Sequence, residues 1–306
     1  MPQGKNAAPE ATLTFIARLC APAGLIFLLT TPVLAQAPQH LAIVAAENFY
    51  GDVARQIGGP DVTVTSILAN PDQDPHLFEA SPSAARAVSA ARIVIYNGID
   101  YDPWMENLLA ASRSSGRETI IVAGLIGKKP GDNPHVWYDP AAMLALAQSL
   151  SARLIADDPA HRDEYKQRLA AFTALQKPIE AKITQLRARL AGTPVTATEP
   201  VFGYMFDALG MDVRNREFQI AVMNDTEPSA SDIAAFENDL KSHQVKLLVY
   251  NSQATNPIAD RMVELAKASQ IPVVGAAETE PTGKNYQSWM MSELDAVDRA
   301  LPGKSP

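Results

Sequence analysis

Short runs of aliphatic and β-branched residues alternate along this chain with stretches of helical periodicity. "LAIVAAE" (41–47) and "VTVTSIL" (62–68) predict strands, and the segment between them predicts a helix. Further strands are predicted at "RIVIYNG" (92–98) and "ETIIVAG" (118–124), with a helix at 81–91 capped by Ser81. This β-α-β-α order predicts a mostly parallel sheet covered by helices.

A long helix follows, and after it the alternation resumes. Apolar side chains recur there at spacings of three and four, at Tyr165, Leu169, Phe172, Leu175, Ile179, Ile183, Leu186 and Leu190. They predict one helix of about 30 residues, about 45 Å long, which Pro178 could kink. A coiled-coil or dimer helix is the alternative.

The predicted fold class is α/β, with two lobes of mostly parallel sheet flanked by helices and joined by one long rigid helix. We place an N-terminal lobe at 36–157, the linking helix at 158–191 and a C-terminal lobe at 192–306. The second lobe is predicted to contain strands at "TPVTATE", "MDVR", "VKLLVYN" (245–251) and "IPVVGAAE", with a last helix from about Gly283.

The first 35 residues have the pattern of a signal peptide. Lys5 and Arg18 precede the apolar run 21–35, which ends in small residues and is too short and Pro-rich for a good membrane span. We expect cleavage after Ala35, with export to the periplasm. A retained N-terminal anchor and a start codon further downstream are the alternatives.

Cysteine use and charge exclude several functions. Cys20 is the only cysteine and precedes the apolar run, so we expect no lipid attachment, no disulfide and no thiolate site in the mature chain. Losing Lys5, Arg18 and Glu10 changes the formal net charge from −8 to −9. An acidic exported protein is a poor candidate for binding nucleic acid or anionic membrane.

Polar side chains that could bind a metal follow several of the predicted strands. His76 and His135 lie in two similar Pro-His loops, Glu199 follows another strand, and Glu278 or Glu280 lies in "AAETEP". Loops beyond the strand ends are where parallel sheets bind ligands. Two imidazoles and two carboxylates suit zinc or manganese, although each residue alone also fits a surface turn or a helix-entry charge.

Five segments together resemble the solute-binding proteins of zinc and manganese ABC importers, over nearly the whole mature chain. They are "DPHLFEASPSAARAVSAARIVIYNGIDYDPWM", "NPHVWYDP", "EPVFGYMFDALG", "EPSASDIAAF" and "ETEPTGKNYQSWM". The resemblance implies two α/β lobes bridged by a rigid helix, with one metal between them.

The same resemblance implies the ligand set. It assigns the ligands to His76, His135, Glu199 and Glu278, with Glu280 as the alternative fourth ligand. Glutamate stands in the third place, where zinc-type members have histidine, and in the fourth place, where aspartate is usual. The histidine-rich loop of many zinc-type relatives is also missing, which leaves zinc and manganese (or iron) open.

We therefore expect a non-catalytic protein that captures Zn²⁺ or Mn²⁺ and delivers it, as a monomer, to the membrane permease of an ABC importer. A secreted zinc-dependent hydrolase is the rival hypothesis, although the chain has no HExxH motif. A surface adhesin is a third. His40, His161 and His243 are expected to lie at the surface rather than to bind metal.

Overall fold

The computed structural model describes residue 12 and residues 40–70, 78, 80–254 and 256–302. The predicted signal peptide (1–35), apart from Thr12, lies outside these residues, and so does His76 with its loop.

The first sheet has four parallel strands in the order β2-β1-β3-β4. They are β1 (Leu41–Glu47), β2 (Val62–Leu68), β3 (Ile93–Tyr96) and β4 (Glu118–Ile121). In the register, Ile43 lies opposite Val64 on one side and Ile93 on the other. The predictions for β1 and β2 are confirmed to the residue.

Five helices accompany this sheet: α1 (Asn48–Gly58), α2 (Pro82–Ala90), α3 (Pro103–Ala111), α4 (Val122–Leu125) and α5 (Ala142–Asp157). The predicted cap is confirmed, since the Ser81 hydroxyl accepts from Ala84 N at 3.2 Å. The strand predicted at 118–124 is wrong beyond Ile121. There the chain turns into α4, and the backbone N–H of Ala123 donates to Asn97 O at 3.1 Å.

The long helix α6 (Arg162–Leu190) is continuous through Pro178 and follows a short 3-10 turn, Pro159–His161. Its buried face confirms most of the predicted stripe, but Leu175 is 51% exposed and Gln176 is buried instead. At 3.6 residues per turn, Leu175 lies at the margin of the face that Phe172 and Ile179 define. Gln176 lies at the opposite margin, the side toward which Tyr165 and Ile183 extend the buried stripe.

The second sheet is also parallel, and its order, β6-β5-β7-β8, repeats that of the first. Its strands are β5 (Pro194–Ala197), β6 (Asp212–Val213), β7 (Leu248–Asn251) and β8 (Val273–Ala276). Strand β7 is shorter than the predicted 245–251.

The helices of this half are α7 (Gly203–Leu209), α8 (Arg216–Met223), α9 (Ala230–Lys241), α10 (Pro257–Ala268) and α11 (Tyr286–Ala300). The sequence analysis did not predict α8. The last helix begins at Tyr286 rather than near Gly283, because the Asn285 side chain caps it by accepting from Ser288 N at 2.9 Å.

One hydrophobic core runs through both sheets and α6. Ile43 of β1, Leu186 of α6, Val195 of β5 and the two indoles Trp137 and Trp289 belong to it, and all five are at most 1% exposed. A smaller cluster forms around Phe218 of α8 and Phe236 of α9. In the described part of the chain, no helix combines the length and hydropathy that a bilayer crossing requires.

Candidate metal centre

His135 lies in the segment between α4 and α5, where the chain makes a 3-10 turn at Val136–Tyr138. Its side chain is fully buried, and its ring meets the Trp137 indole edge-on at 5.2 Å. The Tyr138 hydroxyl donates to Ala277 O at 2.8 Å, and the Tyr286 hydroxyl donates to Trp137 O at 3.0 Å. These bonds tie the His135 segment to the loop after β8 and to α11.

The His135 ring has a different neighbour at each nitrogen. Nδ1 lies 2.6 Å from the side-chain oxygen of Asn133, which also accepts the backbone N–H of His135 at 3.1 Å. Nε2 lies 3.8 Å from Oε1 of Glu278 and has no hydrogen-bond partner among the described residues. Nε2 is therefore the nitrogen that faces the predicted site.

Glu278 follows β8 and is fully buried. Its carboxylate accepts the Tyr101 hydroxyl at 3.0 Å and the Asn251 amide. Burial, and then the charge of Glu278, raises the pKa of Tyr101 well above its usual value, so the phenol keeps its proton for this bond. The Gln253 side chain accepts the backbone N–H groups of Glu278 and Thr279, which fixes the loop.

Glu199 follows β5 and starts a 3-10 turn at Pro200–Phe202. Its side chain is 5% exposed and accepts from Asn251 Nδ2 at 3.3 Å. One amide therefore contacts both Glu199 and Glu278. The structure thus brings three of the four predicted ligands into one buried neighbourhood, while His76 lies outside the described residues. Within those residues, no three His, Cys, Asp or Glu side chains form a complete cluster for a metal ion.

Glu280, the alternative fourth ligand, is held elsewhere. Its backbone is paired with the Asn48 side chain by two bonds of 2.9 and 2.8 Å. Burial, and then the charge of nearby Asp52, raises the pKa of its carboxyl to about 8, although Arg55 acts in the opposite direction. A carboxyl that keeps its proton near neutral pH is a weaker metal ligand, since ligands must be deprotonated. These contacts favour Glu278.

The sequence analysis missed the polar groups that surround the predicted ligands. Asn133, Asn251 and Tyr101 each bond directly to a predicted ligand. The sequence position could have identified two of them, because Asn133 lies two residues before His135 and Asn251 ends a strand. By contrast, His40 and His243 are exposed, as expected, and the half-exposed His161 bonds to Asp158 at 2.6 Å.

Known proteins resemble this chain in sequence. Residues 43–300 match the sequence model of a family described as the periplasmic component A of the zinc-uptake complex. A manganese ABC transporter substrate-binding lipoprotein of Streptococcus pneumoniae is 24% identical over 284 residues, covering 85% of this chain and 89% of the relative. A manganese-binding lipoprotein of Bacillus subtilis is 23% identical over 287 residues, covering 87% and 91%.

Solved structures share the fold. The periplasmic zinc-binding protein TroA of Treponema pallidum superposes with a TM-score of 0.72 at 18% identity, covering 86% of this chain and 99% of that chain. A manganese-bound periplasmic metal-binding protein of Candidatus Liberibacter asiaticus gives 0.71 at 17% identity, covering 86% and 100%. The predicted fold class is confirmed: two parallel sheets flanked by helices, with one long helix between them in the chain.

Proposed function

Because this chain belongs to the family of periplasmic zinc-uptake component A proteins, we propose that it captures a divalent transition metal and delivers it to the permease of an ABC importer. It works in the periplasm as a monomer, after a signal peptide at 1–35 has been removed. The metal is its cargo. The lobes at 36–157 and 192–306 hold it between them, and the helix at 158–191 links them.

One observation carries the proposal: a buried imidazole nitrogen and a buried carboxylate oxygen, from the two halves of the chain, lie 3.8 Å apart. Zinc binds nitrogen and oxygen at about 2.1 Å, so two donors on one ion lie about 3.4 Å apart at a tetrahedral angle and about 3.8 Å apart at about 130°. The spacing of His135 Nε2 and Glu278 Oε1 therefore accommodates one ion. Glu199 and His76 complete the proposed set.

The donor chemistry supports manganese as well as zinc. Two carboxylates that each bind through both oxygens, with two imidazoles, give up to six bonds, which suits the harder manganese ion. Zinc accepts the same donors in a tetrahedron. The relatives named above bind manganese or zinc, according to their names.

A secreted zinc hydrolase is the weaker proposal. A catalytic zinc keeps one coordination position open for water and needs a nearby base, whereas four protein ligands leave little room for a substrate. None of the relatives named above is a hydrolase. A binding protein takes up one equivalent of metal and shows no turnover of ester or peptide substrates, and this pair of measurements separates the two functions.

We expect metal to stabilise the purified, chelator-stripped protein, because the ion binds the folded state and not the unfolded one. At a free metal concentration of 100 Kd, the free energy of unfolding should rise by about 2.7 kcal/mol. Melting curves with and without zinc or manganese measure this. A curve that neither metal shifts contradicts the proposed function.

The same melting assay tests the proposed histidine ligands, one substitution at a time. His76→Asn and His135→Asn should abolish most of the metal-dependent shift, since each removes an imidazole donor. His243→Asn is the matched control, because His243 is exposed and its φ of 54° is one that asparagine tolerates. Equal effects of all three substitutions contradict the ligand assignment.

A further inference from the structure

Asn133 joins the loops of two predicted ligands through one side chain. Its oxygen lies 2.6 Å from Nδ1 of His135, and its amide nitrogen donates to Pro200 O at 2.7 Å. Pro200 directly follows Glu199 at the start of the 3-10 turn. A single amide therefore connects the His135 segment of one half of the chain with the Glu199 loop of the other.

The neighbours of this amide fix which of its ends is oxygen. The carbonyl of Pro200 can only accept a hydrogen bond, and the backbone N–H of His135 can only donate one. The NH₂ end must therefore face Pro200 and the oxygen must face His135. Because that oxygen can only accept, the neutral His135 ring carries its proton on Nδ1.

That tautomer has to be held against a competitor. The carboxylate of Glu278 lies 3.8 Å from Nε2 and would accept a proton placed there. A proton on Nε2 would remove the lone pair that the metal needs. We propose that Asn133 is a positioning residue that holds the His135 proton on Nδ1 and couples this ring to the Glu199 loop through Pro200.

Helix α7 holds Asn133 from a second side. The Tyr204 hydroxyl donates to the backbone oxygen of Asn133 at 2.7 Å. A Cβ added at Gly203 would lie 2.7 Å from the Asn133 side-chain nitrogen, which is too close. That nitrogen cannot retreat without breaking its bond to Pro200 or moving the oxygen away from His135. Because Gly203 has no Cβ, it leaves enough room for the side-chain amide of Asn133.

The metal-binding part of this inference rests on the proposed function, but the tautomer is a property of the metal-free protein. The direct test is long-range ¹H–¹⁵N NMR of the full chain, labelled on its five histidines, in mildly alkaline, metal-free buffer. The His135 signals are assigned with His135→Asn. We expect the pattern of a ring protonated on Nδ1. The pattern of a ring protonated on Nε2 overturns the proposal, and this measurement needs no variant of Asn133.

Two substitutions at Asn133 separate its two functions. Asn133→Ala removes the acceptor, so the proton should shift to Nε2, where Glu278 accepts it. Zinc affinity should then fall about 10- to 100-fold, the usual effect of losing a group that orients a metal-bound histidine. Asn133→Asp keeps an acceptor and should restore the Nδ1 pattern and part of the affinity. An Asn133→Ala protein that keeps the Nδ1 pattern overturns the proposal.

The coupling to the second half is tested by a double-mutant cycle with Gly203→Ala. This substitution should lower zinc affinity in the wild-type background and have little further effect in the Asn133→Ala background, where its target is gone. Gly124→Ala is the matched control, since its added Cβ meets no atom closer than 4.0 Å. An equal loss from Gly203→Ala in both backgrounds overturns the coupling.

The results distinguish this inference from the proposed function. A protein that binds neither zinc nor manganese contradicts the proposed function, and the NMR pattern of its metal-free form still decides the role of Asn133. A protein that binds metal but shows His135 protonated on Nε2 keeps the proposed function and loses this inference.

Discussion

Glu199 is a proposed ligand at a position where zinc-type members have histidine, and we propose that this side chain helps to set which ion the site prefers. Replacing it by histidine removes a carboxylate and supplies a third imidazole. Manganese gains more from carboxylate oxygens than zinc does, while zinc is satisfied by nitrogen donors. We therefore expect Glu199→His to lower manganese affinity and to leave zinc affinity equal or higher.

Paired competition titrations of the wild type and the variant at one pH measure this change. Glu280→His is the matched control, since it makes the same change at the alternative ligand. If the zinc-to-manganese affinity ratio rises only with Glu280→His, the assignment of Glu199 as a ligand is wrong and Glu280 takes its place.

Burial of a carboxyl that is not a proposed ligand, that of Glu293, gives the protein a pH dependence of its own. Burial raises the pKa of Glu293 in α11 from 4.5 to about 7, although Trp289 Nε1 donates to it at 3.0 Å. Between these values the folded protein keeps a proton that the unfolded chain releases, so stability falls as pH rises. The loss should reach about 3 kcal/mol by about pH 8.

Glu293→Gln should remove most of this loss, because an amide stays neutral and its oxygen still accepts from Trp289. Thermal melting of the metal-free protein between about pH 4.5 and pH 8 measures the difference. Glu264→Gln, on the exposed face of α10, is the control and should change nothing. A Glu293→Gln protein with the wild-type pH dependence contradicts the prediction.

At the scale of elements, the sequence predicted what local patterns determine. Strands β1 and β2 follow from runs rich in aliphatic and β-branched residues, and α2 follows from its serine cap. The end of β4 was not predictable, because the aliphatic run continues past Ile121 into α4 without a turn residue at the boundary. Helix α8 was missed because its eight residues bury only Phe218, Gln219 and Val222, too short a pattern to read as a period.

Helix α6 offers a matched pair of leucines for testing the corrected stripe. Leu186 is fully buried, whereas Leu175 is 51% exposed, and both lie on the same helix. Leu186→Ala should lower the free energy of unfolding by about 2–5 kcal/mol, through lost burial and a cavity. Leu175→Ala should change it by no more than about 0.5 kcal/mol. Urea denaturation of both variants measures this, and equal losses would contradict the exposed position of Leu175.

For the whole molecule, the sequence indicated which loops carry donors but not how they are joined. Parallel order within the second sheet places the loops after β5 and β8 at one edge, and the His135 segment meets both of them. The bonds of Asn133 to Pro200 and of Tyr138 to Ala277 cross between segments 67 and 139 residues apart. No local pattern records contacts at such separations, which is why these partners appear only in the folded chain.

These long-range bonds lead to a prediction about the whole chain. Metal that binds donors from both halves of the chain raises the free energy of every local opening that would break the site, and leaves other openings unchanged. Zinc should therefore slow amide hydrogen exchange together at 133–138, 199–204 and 278–280. It should not alter exchange in α9 or α10, whose buried side chains pack in the separate cluster around Phe236. Exchange mass spectrometry with and without zinc measures this, with His135→Asn as the control that should show no change. Slower exchange in the loops of only one sheet would mean that the metal is held by one half of the molecule alone.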